Sequence, residues 1–135
     1  MDVVNLDAAF QSIEEHWEPK LAGELNGQAV KLAVVSGEFV WHHHEDADEL
    51  FYVHRGELTI EFEDRPDAVL EPGEFSIVPR GVEHRPVASA ETEIMLFEPQ
   101  GTVNTGNRES DRTRRNVERI AVDDEEAEWV SDDRG

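Results

Sequence analysis

Cysteine is absent from this 135-residue chain, which excludes disulfides, thiolate-bound metals and a cysteine nucleophile. Long apolar runs are absent too; none approaches the roughly 18 residues that a transmembrane helix needs. The opening MDVVNLDAAFQSIEEHW has no basic stretch ahead of an apolar one, so it does not read as a secretory signal. The expected location is the cytoplasm. Positive charge is scarce: 12 Lys and Arg stand against 32 Asp and Glu, a formal net charge of −20, and only Lys20 and Lys31 are lysines. Such a chain repels phosphate backbones and anionic lipid, so neither nucleic acid nor a membrane is an expected partner. The acids could belong to a partner-binding tail or to a surface adapted to high salt. They spread along the whole chain and lysine is rare, which favours the second reading and a halophilic source. Most of these carboxylates are then solvated surface without a chemical role.

What is present is enough apolar residue for one domain, concentrated between about residues 29 and 97. Residues 5–15 carry Leu6, Ala9, Phe10 and Ile13 at helical spacing, with Asn5 or Asp7 as the N-cap and Pro19 as the stop. Residues 1–18 thus form an N-terminal helical segment. From 19 to 100 the pattern changes to short strands. Asn26-Gly27 between two apolar runs is a two-residue hairpin signal. Further strands are expected at residues 38–44, 49–54, 57–62, 68–70, 74–78, 84–87 and 93–97, separated by Gly and Pro turns. In residues 57–62 the alternation turns Leu58, Ile60 and Phe62 to the core. Many short strands with no helix between them predict an all-β fold, an antiparallel barrel or sandwich. Residues 101–135 form a polar extension: a loop over 101–115 that wraps the barrel, then an acidic tail over 123–135 that frays, with Trp129 and Val130 inside it.

Three of the six histidines are consecutive, His42-His43-His44. A bare triplet suits a polar surface patch as well as a site. In an extended chain, however, His42 and His44 share one face and His43 takes the other. Val40 shares the face of His42 and His44, which places the pair in an interior register. Glu49 follows across a short turn and shares a face with Phe51 and Val53, unlike its many acidic neighbours. His84, after the turn at Pro79-Arg80-Gly81, could complete the set. His43, His54 and His16 read as surface or packing residues. By the same parity Phe39, Trp41 and Tyr52 face outward, onto another layer or a dimer interface, and a homodimer is expected. Phe51, Phe75, Ile77, Met95 or Phe97 would line a pocket, depending on register, though the same residues also make an ordinary core.

The run Gly37-Glu38-Phe39-Val40-Trp41-His42-His43-His44, then Glu49, then Gly56, resembles the first motif of the cupins. Gly73, then Pro79-x-Gly81, then His84 resembles the second, after a gap of 16 residues (57–72) as in small microbial cupins. The spacer after Gly37 is four residues where the usual pattern has five, and Ala88 stands where the second motif often ends in Asn. Neither departure touches a ligand position. The wider stretch, through Trp17-Glu18-Pro19-Lys20, Asn26-Gly27, Val78–His84 and Asn104-Thr105-Gly106, is similar to single-domain cupins loosely labelled after mannose-6-phosphate isomerase. The resemblance implies a cupin β-barrel (double-stranded β-helix or jelly roll) with a short N-terminal helix. It also implies one divalent metal held by His42, His44, Glu49 and His84.

Three imidazoles and a carboxylate suit Fe, Mn, Ni, Co, Cu or Zn. On a six-coordinate ion they would leave two positions for water, dioxygen or substrate. A metal-dependent enzyme acting on a small organic metabolite follows, oxygenase-like or sugar-isomerase-like. A non-catalytic, metal-dependent binder of a small molecule is the alternative. The isomerase variant would want a cation for a phosphate, and only Lys31, Arg80 and Arg85 lie near the motifs.

Overall fold

The computed structural model describes residues 3–120; the acidic tail, with Trp129 and Val130, lies outside them. One short helix precedes seven antiparallel strands: α1 Leu6–Gln11, β1 Lys20–Leu25, β2 Gln28–Glu38, β3 Glu49–Arg55, β4 Leu58–Phe62, β5 Ala68–Leu70, β6 Phe75–Val78 and β7 His84–Pro99. The sheet runs β1-β2-β7-β3-β6, and β4 pairs with both β7 and β5. The expected all-β barrel is therefore the observed architecture.

Helix α1 starts where expected, with Asn5 Oδ1 accepting from the Ala8 N–H at 3.0 Å. It ends at Gln11, well before Pro19. The Ser12 hydroxyl donates to the Ala9 carbonyl at 2.7 Å, closing the last turn, and Glu14 and Glu15 beyond it are exposed, with nothing to bury. Asn26 and Gly27 both take positive φ, 52° and 78°, as a tight hairpin between β1 and β2 requires.

Strand β2 is buried on both faces. Ala33 and Val35 join the barrel interior with Phe51, Val53, Leu58 and Ile60. Leu32 and Val34 join an outer cluster with Ala9, Phe10, Ile13 and Ile120. The helix thus covers the sheet with the apolar stripe its spacing predicts, and Phe10 alone is worth about 1.5–3 kcal/mol of burial. Leu58 and Ile60 are fully buried and Phe62 packs on the core, as the alternation requires.

Four readings need correction. Residues 84–87 and 93–97 are parts of one 16-residue strand, β7. The polar Ala88–Glu91 link is exposed at Ser89–Glu91 but keeps extended backbone. Residues 38–44 are not a strand: β2 stops at Glu38, and the segment beyond touches β7 through an isolated His42–His84 bridge. Phe39 points inward, in parity with Ala33 and Val35; parity counted back from His42 fails because residues 39–44 are not regular strand. Phe75 and Ile77 are 60% and 53% exposed, so they line no pocket; Ser76 and Val78 take the inward positions.

Candidate metal centre

Each of the four residues reaches the barrel interior from a different local device. His42 is held by paired backbone bonds: its N–H donates to the His84 carbonyl at 3.0 Å, and the His84 N–H returns to the His42 carbonyl at 2.9 Å. The Gly81 N–H, in the turn before His84, donates to the His44 carbonyl at 2.7 Å. Glu49 opens β3 and His84 opens β7. Two stretches some forty residues apart are thus stitched together at the backbone. All four side chains are buried, and one ligand atom from each lies within 4.8 Å of all the others.

The rings are close: His42 and His84 centroids are 4.4 Å apart, His42 and His44 5.0 Å. Glu49 Oε1 lies 3.4 Å from His44 Nε2 and 3.6 Å from His84 Nε2. Nδ1 of His42 faces the Val40 carbonyl and Nδ1 of His84 the Val82 carbonyl, both at 2.9 Å. A carbonyl only accepts, so each Nδ1 carries a proton and each Nε2 is left with a free lone pair. Nε2 of His44, Nε2 of His84 and Oε1 of Glu49 are buried with no hydrogen-bond partner. Orphaned buried acceptors cost about 1–3 kcal/mol each. Three in one place, aimed at one another, fit a cation that would satisfy them all. An N₃O donor set of this kind suits a divalent first-row metal.

Burial, with help from neighbouring His84, pushes the His42 imidazole down to about 4 from its ordinary 6.5. Hence it is neutral at pH 7 and ready to ligate. The linked effect on stability has a definite sign. Between pH 6.5 and 4 the unfolded chain takes up a proton at His42 that the folded chain refuses, so stability falls as pH falls. For protein stripped of metal, this imidazole alone removes on the order of 3 kcal/mol between neutral pH and pH 4. Urea melts in chelator across that range measure the loss, and His42→Gln should flatten the slope by that amount.

His43 points away, as parity requires. Its Nδ1 meets Glu83 at 2.9 Å and its Nε2 meets Glu45 at 3.3 Å, and the Glu83 bond, then Glu45, raises its pKa. His54 stacks on Phe10 and bonds Asp7 at 2.7 Å; His16 bonds Glu91. Asp7, His54 and Glu93 also bring three potential ligand atoms together, but at the surface, and Arg55 already bridges Asp7 and Glu93. That group reads as an ion-pair staple from α1 to the sheet.

A neighbour that spacing alone did not expose is Glu98. It is 1% exposed, and its Oε2 accepts from Lys31 Nζ at 2.7 Å; Lys31 also donates to the Thr102 carbonyl at 3.0 Å. Burial and the charge of Glu49 raise the Glu98 pKa well above the carboxylate range. Burial works against ionisation of Glu49 as well, but Glu98, His44 and His84 outweigh it and hold Glu49 low. The proton of the pair therefore sits on Glu98. The effect comes from a nearby acid more than from a well-formed hydrogen bond, since Oε1 of each carboxyl lacks a partner at standard geometry. The available signal was parity: Glu98 shares the inward face of Ile94 and Leu96, and Lys31 that of Ala33 and Val35.

The polar extension closes the outside of the site. The Asn107 N–H donates to the His43 carbonyl at 3.0 Å, and Asn107 Oδ1 accepts from the His43 N–H at 2.9 Å. Gly106 passes so near that a Cβ there would sit 2.1 Å from the His43 oxygen.

A small antiparallel barrel that buries three imidazoles and a carboxylate at one end of its interior is the architecture of a metal-site jelly roll. The chain belongs to the cupins: the Cupin_2 family (Cupin domain) matches residues 30–98. Among similar proteins, the uncharacterized protein YdbB of Bacillus subtilis (strain 168) is 43% identical over 81 residues, 60% of this chain and 72% of its own. The crystal structure of a cupin-2 domain containing protein from Shewanella frigidimarina superposes with a TM-score of 0.70 at 44% identity, covering 73% of this chain and 95% of that one. Protein NMB1881 from Neisseria meningitidis gives a TM-score of 0.68 at 26% identity, covering 73% of this chain and all of that one.

Proposed function

We propose that His42, His44, Glu49 and His84 hold one divalent metal ion and that the chain uses it to act on a small organic metabolite. The carrying observation is the set of three orphaned, buried ligand atoms facing one another. Bound there, the ion supplies Lewis acidity and open coordination positions. The residues themselves fix ring tautomers, keep His42 neutral and exclude bulk water. Beside His42 and Glu49 lies a cavity of about 40 Å³, walled mainly by apolar side chains. At about 10–15 Å³ per water it has room for roughly three water molecules.

Of the two enzyme readings, the oxygenase-like one has the better support. A sugar phosphate needs a cation at the pocket, and the three candidates are otherwise engaged. Lys31 is buried on Glu98, Arg80 pairs with Asp48 at the surface, and Arg85 pairs with Glu61 over the Trp41 ring. The test is a melting-shift screen of small metabolites on metal-loaded protein, followed by an oxygen electrode. Dioxygen consumption with a stabilising metabolite and Fe(II) or Cu(II) supports the enzyme; stabilisation without turnover supports the binder. No metal-dependent stabilisation by any small molecule would contradict both.

A homodimer is proposed from the outer sheet face. Cross-strand register aligns Ile77-Leu50-Phe97-Val30 and Phe75-Tyr52-Met95-Leu32 as two apolar rows across β6, β3, β7 and β2. Helix α1 covers only the Leu32–Met95 end. In a chain of charge −20 this uncharged face is where a second copy can approach with least repulsion. Light scattering should give twice the chain mass for wild type and a single chain for Ile77→Glu; a monomeric wild type contradicts the dimer.

A further inference from the structure

The cavity beside His42 is not closed by the family domain alone. Trp17, Pro19 and Asn104 line it, and all three lie outside residues 30–98. Trp17 is the unusual one. Its φ is +61°, a left-handed conformation that a bulky residue adopts only at a cost, yet it is 7% exposed. Strain of this kind persists only where several contacts over-determine it. Four do so here. The Trp17 N–H donates to the Val34 carbonyl at 2.9 Å and the indole N–H to the Ser36 carbonyl at 2.7 Å. The indole stacks on Phe39 at 4.8 Å, and the Arg112 guanidinium of the C-terminal strap lies 5.7 Å from its ring centre. Phe39 in turn meets His42 edge-on at 5.5 Å.

We propose that Trp17 caps the cavity and sets the size of what reaches the metal. The class of ligand is a small, mostly apolar molecule whose polar atoms are confined to the end that meets His42 and Glu49. This rests on the metal-site reading above. The chemistry of the walls supports the class. Glu49 and His42 are the only titratable side chains facing the cavity among the described residues. Asn104, the remaining polar group, is already satisfied, its Nδ2 donating to the Arg112 carbonyl and its Oδ1 accepting from the Arg114 N–H, both at 2.8 Å. A charged group deep in the cavity would lose its water without a partner.

The test uses the full chain loaded with Co(II), whose visible spectrum reports both metal binding and added ligands. Azide is the small probe and 4-phenylimidazole the large one. Trp17→Gly removes the ring and suits the left-handed backbone; Trp17→Leu removes the ring but keeps apolar volume, and serves should the glycine variant not fold. Both should bind 4-phenylimidazole at least about 10-fold more tightly than wild type, while azide and Co(II) affinities stay within about 3-fold. Equal 4-phenylimidazole affinity in wild type and in a folded variant overturns the cap. A parallel rise for azide overturns it as well, because a size filter discriminates. Failure of wild type to bind Co(II) brings down the metal reading and this proposal with it, and the first titration separates that result from the others.

Discussion

Replacing His84 with alanine costs more than about 100-fold in divalent-metal affinity, while replacing His43 leaves affinity within about threefold of wild type; even outer partners of metal ligands are worth about 10–100-fold. The two residues differ in orientation more than in chemistry. His84 is fully buried, its Nδ1 is fixed on the Val82 carbonyl and its orphaned Nε2 faces Glu49 at 3.6 Å. His43 is turned outward onto Glu83 and Glu45. The stripped proteins sharpen the contrast. His84→Ala melts lower than wild type without metal, because a fully buried ring and its bond to the Val82 carbonyl are lost, and the further stabilisation that metal confers on wild type disappears. Calorimetric titration and melts with and without metal measure both effects. Equal losses in the two variants would mean that the extended segment from 42 to 44 presents its faces in the opposite sense.

Gly106→Ala destabilises the fold by on the order of 3 kcal/mol and weakens metal binding as well. The added Cβ would lie 2.1 Å from the His43 oxygen and 3.1 Å from His42 Cδ2, at a φ of +54° that disfavours any side chain. The obstacle is backbone, so the strap must move, and the paired bonds between Asn107 and His43 go with it. Those bonds brace the outer edge of the segment whose inner edge carries His42 and His44. Gly101→Ala is the control. Its φ of +83° imposes a similar backbone penalty, but a Cβ there meets nothing within 4 Å. That penalty alone is about 1–2 kcal/mol. Thermal melts should place Gly106→Ala clearly below Gly101→Ala; coincident melts would show that the strap does not bear on the site.

Much of the fold was legible because the barrel alternates. The period-2 pattern in residues 57–62, the Asn26-Gly27 turn and the stripe of α1 each state a local preference that the tertiary structure keeps. The buried cluster of the four candidate ligands was legible for a related reason: His42 and His44 share parity with each other, and Glu49 with Phe51 and Val53. What failed was parity carried across irregular backbone. Residues 39–44 are not regular strand, so counting back from His42 put Phe39 on the wrong face. Phe75 and Ile77 look like core by composition, yet their strand is at the sheet edge and turns them outward. Lys31 and Glu98 were hidden in a chain with 32 acids, where only long-range pairing shows that one carboxyl is buried beside another. The roles of Trp17 and Gly106 depend on segments far from the motifs folding back over them, which no local pattern encodes.

The most direct measurement is elemental analysis of purified protein, as isolated and again after chelation and reconstitution with Fe(II), Mn(II), Ni(II), Co(II), Cu(II) or Zn(II). One ion per wild-type chain, retained through gel filtration and absent from His84→Ala, is the expected result. No stoichiometric metal under any of these conditions, or equal loading of His84→Ala, would contradict the assignment of His42, His44, Glu49 and His84 as a metal site.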